Sequence, residues 1–214
     1  MSIEDKSPSR TVRLCGGRES DRIISLPSLL TPAGFIEDRE MPRNVEVKAK
    51  INDWERTLEE CCKQSKSAGE LIKQRDVFFN CSQGRLKLRD FQNGQGQLIY
   101  YERPDHLGPK LSNYATSNTS DPVSLEGVLT QALGIRGLVV KERLFFLVGQ
   151  TRIHLDRVQG LGNFLELEVV LTESQTLQDG EIIAQGLMTK LGIQPDDLLA
   201  GAYVDLLQEQ KNSF

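Results

Sequence analysis

The chain has 214 residues, 38% hydrophobic and 26% charged, with a net charge of −4. That acidic balance argues against a general nucleic-acid binder, which carries a basic surface, and no apolar run approaches the ~20 residues that cross a bilayer. Cys15, Cys61, Cys62 and Cys81 form no CxxC pair and His106 and His154 lie far apart, which argues against zinc and for a reduced, cytoplasmic chain.

Residues 1–40 mix Ser, Pro, Gly and both signs of charge without periodicity, as expected of a disordered leader. Acids throughout this stretch argue against a mitochondrial transit peptide. Ordered structure is expected from Met41. Residues 44–51 alternate strictly, with Glu46, Lys48 and Lys50 against Val45, Val47, Ala49 and Ile51. A period of two is a β-strand with one charged and one apolar face. Asn52-Asp53 signals the cap of a helix over 53–65, whose apolar face is Trp54, Leu58, Cys61 and Cys62. Strands follow over 74–80, 85–89 and 97–103, with a hairpin at Asn93–Gly96 and a stop at Pro104.

Residues 104–110 read as a loop, 110–115 as a short extended piece, and 116–122 as a polar, mobile segment. A helix over 123–133 precedes strands at 138–148, 151–158 and 164–171, with turns at Gly149-Gln150 and Gly160–Gly162. Two helices close the chain: one over 178–191, and one opened by Pro195-Asp196-Asp197 that carries Leu198, Leu199, Tyr203, Leu206 and Leu207. About eight strands with hairpin-length links imply an α+β fold and antiparallel pairing.

Like-parity positions of a strand share a face. On that rule nine cations gather, Lys48, Lys50, Arg85, Lys87, Arg89, Arg103, Lys141, Arg143 and Arg152, beside four acids, Glu46, Asp156, Glu166 and Glu168. A solvated sheet face would mix signs strand by strand. Here one strand carries three cations and another two carboxylates. If the sheet closes, this face lines its interior, and clustered cations there need a polyanion. Carboxylates beside them suit a hard divalent ion, Mg²⁺ or Mn²⁺. Together these are the chemistry of triphosphate handling.

The Glu-x-Lys strand, Gly84-Arg-Leu-Lys-Leu-Arg89, Lys141-x-Arg143, Arg152-Ile-His-Leu-Asp156 and Gly162-Asn-Phe-Leu-Glu-Leu-Glu168 occur in the order of the CYTH superfamily. The chain resembles these triphosphate tunnel metalloenzymes, which include class IV adenylyl cyclases and thiamine triphosphatases, over about residues 41–208; residues 209–214 form a tail. The resemblance implies a closed eight-stranded antiparallel barrel flanked by helices. It implies metal ligands at Glu46, Asp156, Glu166 and Glu168, and phosphate contacts at Lys48, Lys50, Arg85, Lys87, Arg89, Arg103, Lys141, Arg143 and Arg152. Lys48, Arg143 and Asp156 are the implied catalytic set. Asn44 stands where the family's Glu-x-Glu-x-Lys signature has its first Glu, which weakens a second metal position. His154 reads as a wall residue or a proton relay; Trp54, Tyr100 and Tyr101 read as packing.

The expected activity is a metal-dependent hydrolase of inorganic or small organic triphosphates. The alternatives are a cyclase that converts ATP to cyclic AMP and pyrophosphate, and a module that binds polyphosphate or nucleotide without turnover. The expected partner is the small-molecule triphosphate alone, with no nucleic acid and no membrane, and the chain a monomer or homodimer.

Overall fold

The computed structural model describes residues 41–212, so the expected leader at 1–40 and the last two residues of the tail lie outside the described residues. Eight strands are present: β1 (Arg43–Lys50), β2 (Glu70–Phe79), β3 (Arg85–Asp90), β4 (Gly96–Glu102), β5 (Lys110–Thr119), β6 (Ile135–Val148), β7 (Thr151–Val158) and β8 (Gly162–Val170). Among the described residues four helices accompany them: α1 (Trp54–Ser65), α2 (Pro122–Leu133), α3 (Leu177–Leu191) and α4 (Tyr203–Asn212). The strands close into an antiparallel barrel in the order β1-β5-β4-β3-β2-β6-β7-β8, with β8 returning to β1. Among the described residues no helix is long and apolar enough to cross a membrane.

The apolar parity of the strands faces outward and is covered by helices. Val45 and Val47 of β1, Ile153 and Leu155 of β7, and Leu165, Leu167 and Val169 of β8 pack against Ala184, Leu187, Met188 and Leu191 of α3 and Cys61 of α1. Burying such side chains contributes about 1.5–3 kcal/mol each, less the ordering cost of the chain. The helices start where side chains satisfy their first N–H groups. Asp53 accepts from Arg56 N, Asp121 from Ser124 N, and Thr176 with Asp179 forms a reciprocal capping box. Gly180 lets α3 sit tightly on β1, since a Cβ there would lie 2.5 Å from Val45 Cγ2. On the far side Val77, Phe79 and Leu88 pack against Leu125 and Leu129 of α2.

One end of the barrel is filled. Phe78, Ile99, Tyr101, Val139, Val158 and Phe164 share the inward parity and form an apolar cluster with Ala202, Tyr203 and Val204 at the start of α4. The barrel is therefore a cup with a floor.

Three local expectations change. Residues 116–119 are not a mobile segment: they complete β5, with Thr116 opposite Ile99 and Thr119 opposite Gly96. Thr and Ser suit a strand whose neighbours supply the ladder. β2 begins at Glu70, four residues before the expected start, because it pairs with the long β6 from Glu70↔Phe145 onward. The last helix is split. Pro195–Asp197 make only a 3₁₀ turn, and the chain then crosses extended under the barrel. There Leu199 N donates to Lys48 O, and Lys110 Nζ donates to the carbonyls of His106, Leu199 and Ala200. Leu198 N still closes the 3₁₀ turn on Pro195 O, a tertiary hydrogen bond replaces the helical one at Leu199, and α4 starts only at Tyr203.

Candidate active site

The charged parity lines the inside of the cup. Register places Glu46 opposite Glu168 and Lys48 opposite Glu166 across β1 and β8, and Arg152 and His154 opposite the same two glutamates across β7 and β8. β2 and β3 add Asp76 opposite Arg89. The result is a cavity of about 140 Å³, lined by seven cations (Lys48, Lys87, Arg89, Arg103, Lys141, Arg143 and Arg152) and four carboxylates (Glu46, Asp76, Glu166 and Glu168).

Fixed ion pairs hold these charges. Arg143 grips Asp156 with two prongs, Nε to Oδ1 at 2.7 Å and Nη2 to Oδ2 at 2.6 Å, and its Nη2 also donates to Glu166 Oε2 at 2.5 Å. Lys48 donates to the other oxygen of Glu166. Arg89 forms two 2.8 Å bonds to Asp76, and Arg103 one of 2.6 Å to Glu46. Tyr203 of the floor donates from Oη to Asp156 Oδ2 at 3.0 Å, and its ring lies 3.4 Å from Lys48 Nζ. Such cation–ring contacts are strongest where water is excluded.

Burial opposes every charge here, and the partners decide the outcome. For Asp76, burial pushes the carboxyl up, but Arg89, Lys87 and Lys141 outweigh it and leave it well below the carboxylate range. Burial likewise opposes Glu166, and Lys48 with Arg143 holds it far below its ordinary value. The lysines go the other way. Burial depresses Lys48, Lys87 and Lys141, and Lys141, with Arg143 adding to burial, falls to about 7. The cavity thus gathers more basic groups than it has carboxylates to pair them, and a bound anion would favour the charged form of the depressed lysines.

His154, Glu166 and Glu168 form a second kind of cluster. One ligand atom from each lies within 4.8 Å of the others, and His154 Nδ1 is buried with no hydrogen-bond partner. Burial, then Arg143, lowers the imidazole pKa, which favours the neutral ring. An unpartnered ring nitrogen beside two carboxylates fits a divalent ion. Glu46, opposite Glu168, is the next carboxylate along the wall.

Of the expected residues, Glu46, Lys48, Lys87, Arg89, Arg103, Lys141, Arg143, Arg152, Glu166 and Glu168 come together in the cavity. Three others do not line it. Lys50 is exposed at the end of β1. Arg85 turns to the floor end, to Asp105 at 2.5 Å and Asp205 at 2.9 Å. Asp156 is fully buried on the inner face beside the floor, with both oxygens taken by Arg143 and one also by Tyr203, so its geometry is that of a positioning group for Arg143. The sequence reading passed over Asp76 and Tyr203. Asp76 shares parity with Gln74 and Phe78, a mixed face without the charged alternation that marks the other strands. Tyr203 has no local signal, because its place depends on how α4 docks.

Comparison with known proteins agrees with this geometry. A protein-family model, the CYTH domain, matches residues 42–203. Among solved structures, the PH1012 protein from Pyrococcus horikoshii OT3 superposes with a TM-score of 0.67 at 22% identity, over 77% of this chain and 99% of that one. A conserved hypothetical protein from Pyrococcus furiosus gives 0.68 at 21% identity, over 76% and 99%. A Vibrio parahaemolyticus protein provisionally named an adenylate cyclase gives 0.62 at 18%, over 77% and 97%. At these identities the likeness is one of fold. No curated protein matches the chain.

Proposed function

The chain belongs to the CYTH domain family, and from that premise we propose that it is a divalent-metal-dependent phosphohydrolase acting on a triphosphate. The observation that carries this reading is the excess of basic groups inside a one-ended cavity: seven basic side chains against four carboxylates, where a polyanion is the complementary ligand. Lys48, Lys87, Arg89, Lys141, Arg143 and Arg152 bind the phosphate oxygens, arginine as a planar fork and lysine as a point charge. Arg103 extends the set from the end of β4.

His154, Glu166 and Glu168, with Glu46 beside them, would hold Mg²⁺ or Mn²⁺, whose chemistry when bound is to neutralise phosphate charge and polarise the P–O bond. Lys48 and Arg143 stabilise the charge that grows on the leaving oxygen, and Asp156 keeps the Arg143 guanidinium in its plane. In the reaction a water oxygen bonds to the terminal phosphorus while the bridging P–O bond breaks. The bridging oxygen leaves with the bonding pair as part of the diphosphate, the terminal phosphoryl becomes orthophosphate, and the water's proton goes to solvent. The floor made by α4 stops a chain from threading through, so a triphosphate enters and leaves by the same mouth.

Product analysis with the full chain and Mg²⁺ or Mn²⁺ tests the reading. Orthophosphate released from a triphosphate supports it. Cyclic AMP and pyrophosphate from ATP would replace it with the cyclase reaction, the activity in the Vibrio protein's name. Tight binding without any product would make the protein a polyphosphate- or nucleotide-binding module.

A further inference from the structure

The cavity has two unlike walls. β1, β2, β3, β6, β7 and β8 all present charges to it, whereas the side chains that β5 turns to it, Ser112, Tyr114 and Thr116, are all neutral hydrogen-bonding groups. The one cation of β5 with inward register, Lys110 opposite Glu46, donates its ammonium to three backbone carbonyls and does not line the cavity. Asn44 of β1 pairs with Ser112 and extends the neutral wall. This wall is not a solvated face at its base. Ser112 is 0% and Asn44 3% exposed, while Thr116 is open at the other end, so the wall climbs from the basin to the mouth.

Asn44 Oδ1 and Ser112 Oγ are buried without a hydrogen-bond partner. Arg103, at the end of β4 just beyond the Glu102↔Asn113 pair, has Nε and Nη2 without a hydrogen bond as well, although Nη2 lies 3.8 Å from Asp105 Oδ1. Ionised phosphate oxygens only accept hydrogen bonds. They can satisfy Arg103 and the Ser112 hydroxyl, but an amide oxygen needs a donor. An inorganic triphosphate leaves that oxygen orphaned; a ligand with an O–H or N–H group does not.

We infer that the neutral wall of Asn44, Ser112, Tyr114 and Thr116 is the specificity surface of the cavity, and that it selects an organic triphosphate whose non-phosphate part carries O–H or N–H donors over inorganic triphosphate. This rests on the triphosphate reading above. The phosphates lie against the charged wall, Arg103 marks the junction, and the organic part runs up β5 to the mouth.

The test compares inorganic tripolyphosphate with the four ribonucleoside triphosphates and thiamine triphosphate on the full chain with Mg²⁺, reading binding and turnover separately. At least one organic triphosphate binds about tenfold or more tightly than tripolyphosphate, and Ser112→Ala or Tyr114→Phe cuts that ratio about two- to tenfold, the worth of one neutral hydrogen bond. Tyr114→Phe removes only a hydroxyl and guards against misfolding of the buried Ser112 variant. Tripolyphosphate bound as tightly as every organic compound, or a ratio that neither variant moves, overturns the inference. Hydrolysis of tripolyphosphate in preference to all others would do so while leaving the hydrolase reading intact. Selective binding of an organic triphosphate without product would keep the wall's role and overturn hydrolysis.

Discussion

The two faces of β8 carry opposite chemistry on adjacent residues. Leu165, Leu167 and Val169 point out into the helices, fully buried, while Glu166 and Glu168 point into the barrel among cations. A water-soluble sheet usually keeps its charges on the solvent side. Here the helices take the apolar side, and the charges are left to the lumen. The outer face therefore carries the stability of the fold. The inner face works against it, since gathering like charges out of water is unfavourable until a ligand of opposite sign arrives. Stability and function are separated by one position along the chain.

That separation can be broken from either side. The largest effect is expected inside: Glu168→Gln should lower metal-dependent turnover about a hundredfold or more, by analogy with loss of a group that stabilises transition-state charge, while the thermal melt shifts little. Activity at the unaltered level in this variant would remove Glu168 from the ligand set. Next comes the outer face. Leu167→Ala, one residue away, should cost about 2–5 kcal/mol in urea unfolding and leave turnover per folded molecule unchanged. If its activity fell as far as that of Glu168→Gln, the two faces would not be separable.

The smallest effect sharpens the electrostatic half of the comparison. Burial, then Arg143, holds Lys141 at about 7, below the usual 10.5. Between those values the unfolded chain holds a proton that the folded one lacks, so this group makes stability rise with pH across that window. An anion in the cavity favours the charged amine and raises its pKa. Binding tripolyphosphate at pH 8 should then take up a fraction of a proton, read calorimetrically in two buffers of different ionisation enthalpy. The uptake should fade below about pH 6 and shrink in Lys141→Met. No buffer dependence at pH 8 would mean that Lys141 is already charged in the free protein.

Much of this was legible from residue order. The strict alternation of β1, the Arg85–Arg89 strand and the Glu166/Glu168 pair all mark faces correctly, because their neighbours on the other parity are strongly apolar. Where that contrast fails, so does the reading. Thr116–Thr119 is polar on both faces, and it is a strand because β4 pairs with it. Asp76 is hidden in a strand whose inner face also carries Gln74 and Phe78. Lys50 and Arg85 obey parity and still do not line the cavity, since one lies at a strand end and the other is drawn off by Asp105 and Asp205.

By itself the sequence determined which side chains stand together. The pleat of a strand is covalent geometry, and parity needs no partner. The tertiary structure decided which side is the inside, through the return of β8 to β1, and where the cavity stops, through Tyr203 on α4. It also withdrew Asp156 behind Arg143 and turned Lys110 to the chain beneath the barrel. These outcomes depend on contacts between residues far apart in the chain, and their energies arise only once the barrel has closed.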